Sequence, residues 1–176
     1  AGLSTRHTFE QLCKIPVEVE VASEFRYKNP LIDEQTLCIY ISQSGETADT
    51  IAALKLAKIK GAKTLAISNV IGSSITREAD YCIYTHAGPE IAVASTKAYT
   101  SQLVLLNLLA LYFAEILERT DNAIISDMKK EILELPKKAE LTLKDVASVK
   151  AFAVIAMIGI VLASFLFNLR ILSVAS

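Results

Sequence analysis

The sequence has no excess of charge of either sign: its 176 residues carry 18 Lys and Arg against 19 Asp and Glu, a formal net charge of -1. Without surplus cations to neutralise phosphates, a nucleic-acid binder working by bulk electrostatics is not expected. Cysteine and histidine are sparse. Cys13, Cys38 and Cys82 are widely spaced in apolar surroundings, no CxxC pair occurs, and His7 and His86 are the only histidines. That excludes a disulfide framework or an ordinary zinc site and points to buried free thiols in a reducing compartment; no metal or cofactor is implied. The first residues carry Arg6, His7 and Glu10 with no apolar run, unlike a secretory signal, so the expected location is cytoplasmic. Low-complexity tracts and short repeats are also missing. A hydrophobic share of 52% then excludes wholesale disorder. It has two possible sources, a sheet buried on both faces or a membrane segment.

The length is that of one ordinary domain. Residues 3–13 read as a helix with Phe9, Leu12 and Cys13 toward a core. Residues 17–21 (VEVEV) alternate with period two and read as a strand near a sheet edge. Residues 37–41 (LCIYI), 64–69 (TLAISN) and 81–84 (YCIY) read as buried strands. Between them a helix is expected over 48–60, with Ala48, Ala52, Leu56 and Ile59 on its apolar stripe, widened by Ile51 and Leu54. Gly61 stops it, and a short helix capped by Ser73 or Ser74 runs through Ala79. Strands alternating with helices at this spacing are the signature of right-handed βαβ units and a parallel sheet. A long helix is expected over 94–119. Its run from 103 to 114 contains one strongly polar residue, Asn107, and is shorter than the about 20 residues of a membrane span. Such a helix is buried in the core or against a second subunit. Amphipathic helices over 127–135 and 137–149 flank Pro136. Residues 151–167 carry no charge; a buried strand and helix, a membrane helix or an atypical terminus are the readings open there.

The segment richest in chemistry is Ser42-Gln43-Ser44-Gly45-Glu46-Thr47, between a strand end and a helix start. In open α/β sheets ligands bind outside the carboxyl ends of the strands. Free N–H groups and the positive end of the helix dipole favour an anion there. Ser42, Ser44 and Thr47 add hydroxyls, and Gly45 allows a close backbone approach. The loop has no lysine and no GxxxxGK[ST] pattern, which sets aside a Walker-type nucleotide site. Two readings fit: a small phosphate monoester held by neutral donors, or an ordinary Ser/Thr helix cap. A second loop, 88–97, leads into the long helix; Val93 to Ser95 offer backbone groups and a hydroxyl. Lys97 either complements negative charge or is a solvated first-turn lysine.

The segments ASEFRY (22–27), SQSGETADT (42–50), ISNVIGSSITREAD (67–80) and AGPEIAVASTKAYTSQL (87–103) together resemble the glutamine–fructose-6-phosphate aminotransferase (glucosamine-6-phosphate synthase) family, in the first sugar isomerase (SIS) half of its isomerase domain. SQSGET is typical of SIS domains in general; its combination with ASEFRY and VASTKAYT is more specific. The resemblance covers residues 1–145, leaving 146–176 as an apolar tail for which a remnant of the second SIS half is one reading. It implies an α/β three-layer sandwich with a five-stranded parallel, flavodoxin-like sheet, followed by helices. It also implies that Ser42, Gln43, Ser44 and Thr47 bind the phosphate of fructose 6-phosphate or glucosamine 6-phosphate, and that Val93 and Ser95 line the sugar site. A glutaminase domain in the full enzyme and a homodimer follow from the same resemblance, with no nucleic-acid or membrane partner. The chain departs from the family pattern in three ways. No glutaminase cysteine, no Gly-Thr-Ser loop before the first helix and no catalytic glutamate, lysine or histidine of the second half is placed in it. The implied whole enzyme converts fructose 6-phosphate and glutamine to glucosamine 6-phosphate and glutamate, with this chain inactive alone. A non-catalytic SIS module that senses a sugar phosphate shares SQSGET and needs no acid–base residues.

Overall fold

The computed structural model describes residues 1–90 and 95–144, in the chain order α1 (Gly2–Cys13), α2 (Ala22–Phe25), β1 (Leu37–Ser42), α3 (Ala48–Ile59), β2 (Lys63–Ser68), α4 (Ser74–Glu78), β3 (Tyr81–Tyr84), α5 (Thr96–Leu117) and α6 (Asn122–Lys144). Among the described residues the sheet has three strands in the order β1-β2-β3, both pairs parallel. This is the βαβ arrangement that the alternation of elements predicts. Two compact units divide the chain, Ala1–Lys129 and Lys130–Ser176.

Both faces of the sheet are covered at β2, whose residues from Thr64 to Ser68 are buried. β3, expected to be buried, is an edge strand of the described sheet: Tyr81 and Cys82 are exposed and Ile83 and Tyr84 half-buried. On one face Tyr40 and Ala66 pack with Ala53, Leu54 and Ala57 of α3 and Ile75 of α4. On the other, Leu65 and Ile67 are buried, and the start of α1 comes against Ile41 through Gly2. α1 lies along α5: Phe9 meets Phe113 edge to face with ring centroids 6.1 Å apart. The Cys13 thiol donates to the Ala110 carbonyl at 3.5 Å. Phe9, Leu12 and Cys13 are all buried, as their spacing predicts.

α3 ends where expected. Gly61 takes φ +88°, its N–H reaches Lys58 C=O at 3.0 Å, and the Ala62 N–H returns to Ala57 C=O at 3.1 Å. This closes a Schellman motif. Its buried face, however, is Ala53, Leu54 and Ala57, while Ala48 is exposed and Ile59 is 83% exposed. The stripe expected through Ala48, Ala52, Leu56 and Ile59 is therefore turned by about one residue. Small side chains take the inner seat because the Tyr40 hydroxyl donates to the Ala53 carbonyl at 3.1 Å, which requires the helix backbone to sit close to the sheet.

Two further expectations are corrected. Residues 17–21 are not a strand; no ladder partner meets them among the described residues. The Val21 carbonyl instead accepts from the N–H groups of Glu24 and Phe25, both at 3.0 Å, and starts α2. The outward glutamates converge on Lys28: Glu18 pairs with it at 2.8 Å, and Glu20 pairs with it too. Pro136 does not separate two helices but lies inside α6. The expected helix end at Val149 and the apolar stretch 151–167 lie outside the described residues. α5 as a whole, with 22 residues, is long and apolar enough to cross a membrane by length and composition, although the run from 103 to 114 alone is not.

Candidate sugar-phosphate site

All three strands end in one register row, Ser42 beside Ser68 beside Tyr84. The row continues past the sheet. The Asn69 N–H donates to Gln43 C=O at 3.1 Å, and the Thr85 N–H to Ser68 C=O at 3.0 Å. The carboxyl edge therefore carries the SQSGET loop, the turn after β2 and the loop after β3 side by side, the position where open α/β sheets bind ligands.

The SQSGET loop is held from beneath. Ser42 is buried, and its Oγ accepts from the Gly45 N–H at 3.0 Å. Gly45 takes φ +71°, and a Cβ there would collide with the Ser73 side chain and come within 2.9 Å of Ser68 Oγ. The loop needs glycine for both backbone and space. The Gly45 carbonyl accepts from the Ile75 N–H at 3.0 Å. Glu46, the one charged residue of the loop, faces α4 and accepts from the Ser74 N–H at 2.8 Å. The Ser74 hydroxyl and N–H, with Arg77 nearby, hold its carboxyl below the usual glutamate range. That negative charge is engaged by α4 rather than left to repel an anion.

The groups above the loop remain available. Thr47 is the N-cap of α3, but its side chain makes no capping hydrogen bond. The first intrahelical bond runs from the Ile51 N–H to Thr47 C=O at 3.1 Å, so the N–H groups of Ala48, Asp49 and Thr50 precede the ladder. Of the two readings of this segment, the Ser/Thr cap is the one the geometry lacks. Gln43 and Ser44 are half-buried and Thr47 is exposed. Ser44 Oγ accepts from the Glu46 N–H at 3.2 Å, which leaves its own proton to donate.

Ser95, in the second loop, does cap a helix. Its Oγ accepts from the Ala98 N–H at 3.2 Å and donates to the Glu90 carboxylate. Lys97 donates to the Pro89 carbonyl. Val93 lies outside the described residues. An open cavity of about 290 Å³ lies between the end of β3 and the early turns of α5, lined among others by Thr85, Thr100, Ser101 and Leu105; no SQSGET residue lines it. Sequence reasoning missed Asn69, whose side chain reaches Thr85, Ala87 and Gly88, and missed the Glu46 contact with α4. An Asn directly after a strand, in a row of strand ends, was the one signal for the first.

The SIS domain profile matches residues 1–112. The chain belongs to the SIS domain family. As an SIS chain it is similar to the glutamine–fructose-6-phosphate aminotransferase (isomerizing) of Clostridium tetani, 60% identical over 144 residues, covering 82% of this chain and 24% of that protein. It is 51% identical over 145 residues to the protein of the same name from Thermococcus kodakarensis, again 82% and 24%. Among solved structures it is similar to the C-terminal domain of glucosamine-fructose-6-phosphate aminotransferase from Francisella tularensis, with TM-score 0.73, 39% identity, and coverage of 76% of this chain and 38% of that one. The SIS chain thus spans about a quarter of the length of the curated relatives it matches.

Proposed function

We propose that this chain is the phosphate-gripping SIS half of the isomerase domain of a glutamine–fructose-6-phosphate aminotransferase, extending over residues 1–145. The observation that carries the reading is the uncapped N-terminus of α3 above a loop of hydroxyls at the carboxyl edge of the sheet. The N–H groups of Ala48, Asp49 and Thr50, the hydroxyls of Ser44 and Thr47 and the Gln43 amide are neutral donors suited to a phosphate monoester at a helix N-terminus. Ser42 acts from below, holding the Gly45 N–H and with it the curve of the loop. The names of the relatives give the sugar phosphate as fructose 6-phosphate, and the product in this reading is glucosamine 6-phosphate. Val93 and Ser95 then line the sugar, on a sheet of five strands in the whole domain.

In this reading the residues described here bind and orient the substrate. The glutaminase domain that supplies ammonia and the acid–base groups that open and isomerise the sugar belong to the remainder of the protein, a cytoplasmic homodimer. Removing one hydroxyl, in Ser44→Ala or Thr47→Ala, weakens glucosamine 6-phosphate binding by about 1.5–3 kcal/mol, the scale of one hydrogen bond to a charged group. Calorimetric titration measures it. Unchanged affinity in both variants refutes the phosphate assignment.

A further inference from the structure

Asn69 ties together two loops that no ladder joins. Its backbone N–H donates to Gln43 C=O in the SQSGET loop at 3.1 Å. Its side chain is spent entirely on residues 85–88, which lead from β3 into the second loop. Oδ1 accepts from the Thr85 hydroxyl at 3.0 Å and from the Ala87 N–H at 2.8 Å, and Nδ2 donates to Gly88 C=O at 2.8 Å. The second loop needs this fastening. It leaves β3 without strand partners and passes through two left-handed residues, His86 at φ 50° and Gly88 at φ 74°. A chain that reverses its backbone hand twice in three residues has little intrinsic preference for one path.

We infer that Asn69 is a positioning residue that sets residues 85–88, which lead from β3 to the side assigned to the sugar, at a fixed distance from the phosphate loop and thereby makes the site prefer a sugar phosphate to phosphate alone. The inference rests on the reading of SQSGET as a phosphate site. The donors that meet the anion all lie on α3 and its loop, and Asn69 touches these through one backbone bond that any residue at 69 preserves. What its side chain fixes is residues 85–88, on the side assigned to the sugar. Its loss therefore leaves phosphate recognition in place and removes the added affinity that comes from the sugar.

The test is calorimetric titration of the chain with inorganic phosphate and with glucosamine 6-phosphate, for the wild type, Asn69→Ala and Thr85→Val. Asn69→Ala is expected to weaken glucosamine 6-phosphate binding about tenfold, with phosphate affinity within about twofold of wild type. Thr85→Val, which removes one of the three side-chain bonds, shows the same split at smaller size and carries the test if Asn69→Ala does not fold. Equal losses for both ligands, or no loss for either in folded variants, overturn the inference and leave the phosphate reading standing. A wild-type chain that binds phosphate but gains nothing from the sugar overturns it also. A wild-type chain that binds neither ligand overturns the phosphate reading and this inference with it.

Discussion

A hydroxyl at the end of a strand can face the ligand or the protein, and the SQSGET loop holds both kinds. Ser42 faces inward onto the Gly45 N–H, whereas Ser44 keeps a proton to give and Thr47 is exposed. The loop itself is legible in the sequence because a strand, a glycine and a helix start in that order leave free N–H groups at one place. The direction of each hydroxyl is not, since it follows from how the loop curves at Gly45, and that curve is fitted to Ser73 and Ile75, which lie well beyond the loop in sequence. Asn69 was illegible for the same reason: its partners follow it by 16 to 19 positions. Gly45→Ala tests the tightest point. The substitution meets the Ser73 side chain and forces a left-handed alanine, so it should destabilise the chain by about 1–3 kcal/mol in urea unfolding. Full stability in that variant refutes the close approach of loop and α4.

The elements show where periodicity decides and where it does not. All three strands were readable as strands from short runs of apolar residues, but only β2 is buried nearly throughout. The run at 81–84 forms β3 with Tyr81 and Cys82 exposed, because it is an edge strand of the described sheet. Residues 17–21 have the cleanest alternation in the chain and form no strand. Period-two patterning records which side is wet, but a strand also needs a neighbour to bond to. α3 carries more apolar residues than one face holds, so the sequence alone could not choose among stripes. β2 and β3 are pinned at their starts by a reciprocal pair. Asp80 Oδ2 accepts from the Thr64 N–H at 2.9 Å and hydroxyl at 2.8 Å, and the Asp80 N–H donates back to Thr64 Oγ1 at 3.0 Å. Thr64 is fully buried, so Asp80→Ala strands its polar groups and should cost about 1–3 kcal/mol in urea unfolding. The Thr64 hydroxyl and N–H, then Lys58, hold the Asp80 carboxyl below the usual aspartate range. A carboxyl lowered in the folded state stabilises above its unfolded value. That contribution is therefore full at neutral pH and is lost as the pH falls below about 4. The stability difference between wild type and Asp80→Ala should narrow on acidification, and a constant gap would refute the assignment.

At the scale of the molecule, the near absence of net charge and the high apolar content have a common structural setting. Helices cover both faces of a parallel sheet, and the proposed anion grip uses dipoles and hydroxyls, so neither feature demands surplus cations. α1 contributes to that cover from the far end of the chain. Its thiol contact with Ala110 encloses 97 residues, against 26 between paired positions Leu37 and Lys63 of β1 and β2. Closing the longer loop costs about 1 kcal/mol more in chain entropy. The helix that opens the sequence is thus the part whose docking is repaid last and released first, a hinge of the folding reaction itself. Cys13 makes that release visible. Buried against α5, with burial pushing its thiol up, it should resist alkylation while exposed Cys82 reacts. The rate at which Cys13 does react should exceed that of global unfolding; equal rates would mean that α1 leaves only when the whole sheet comes apart.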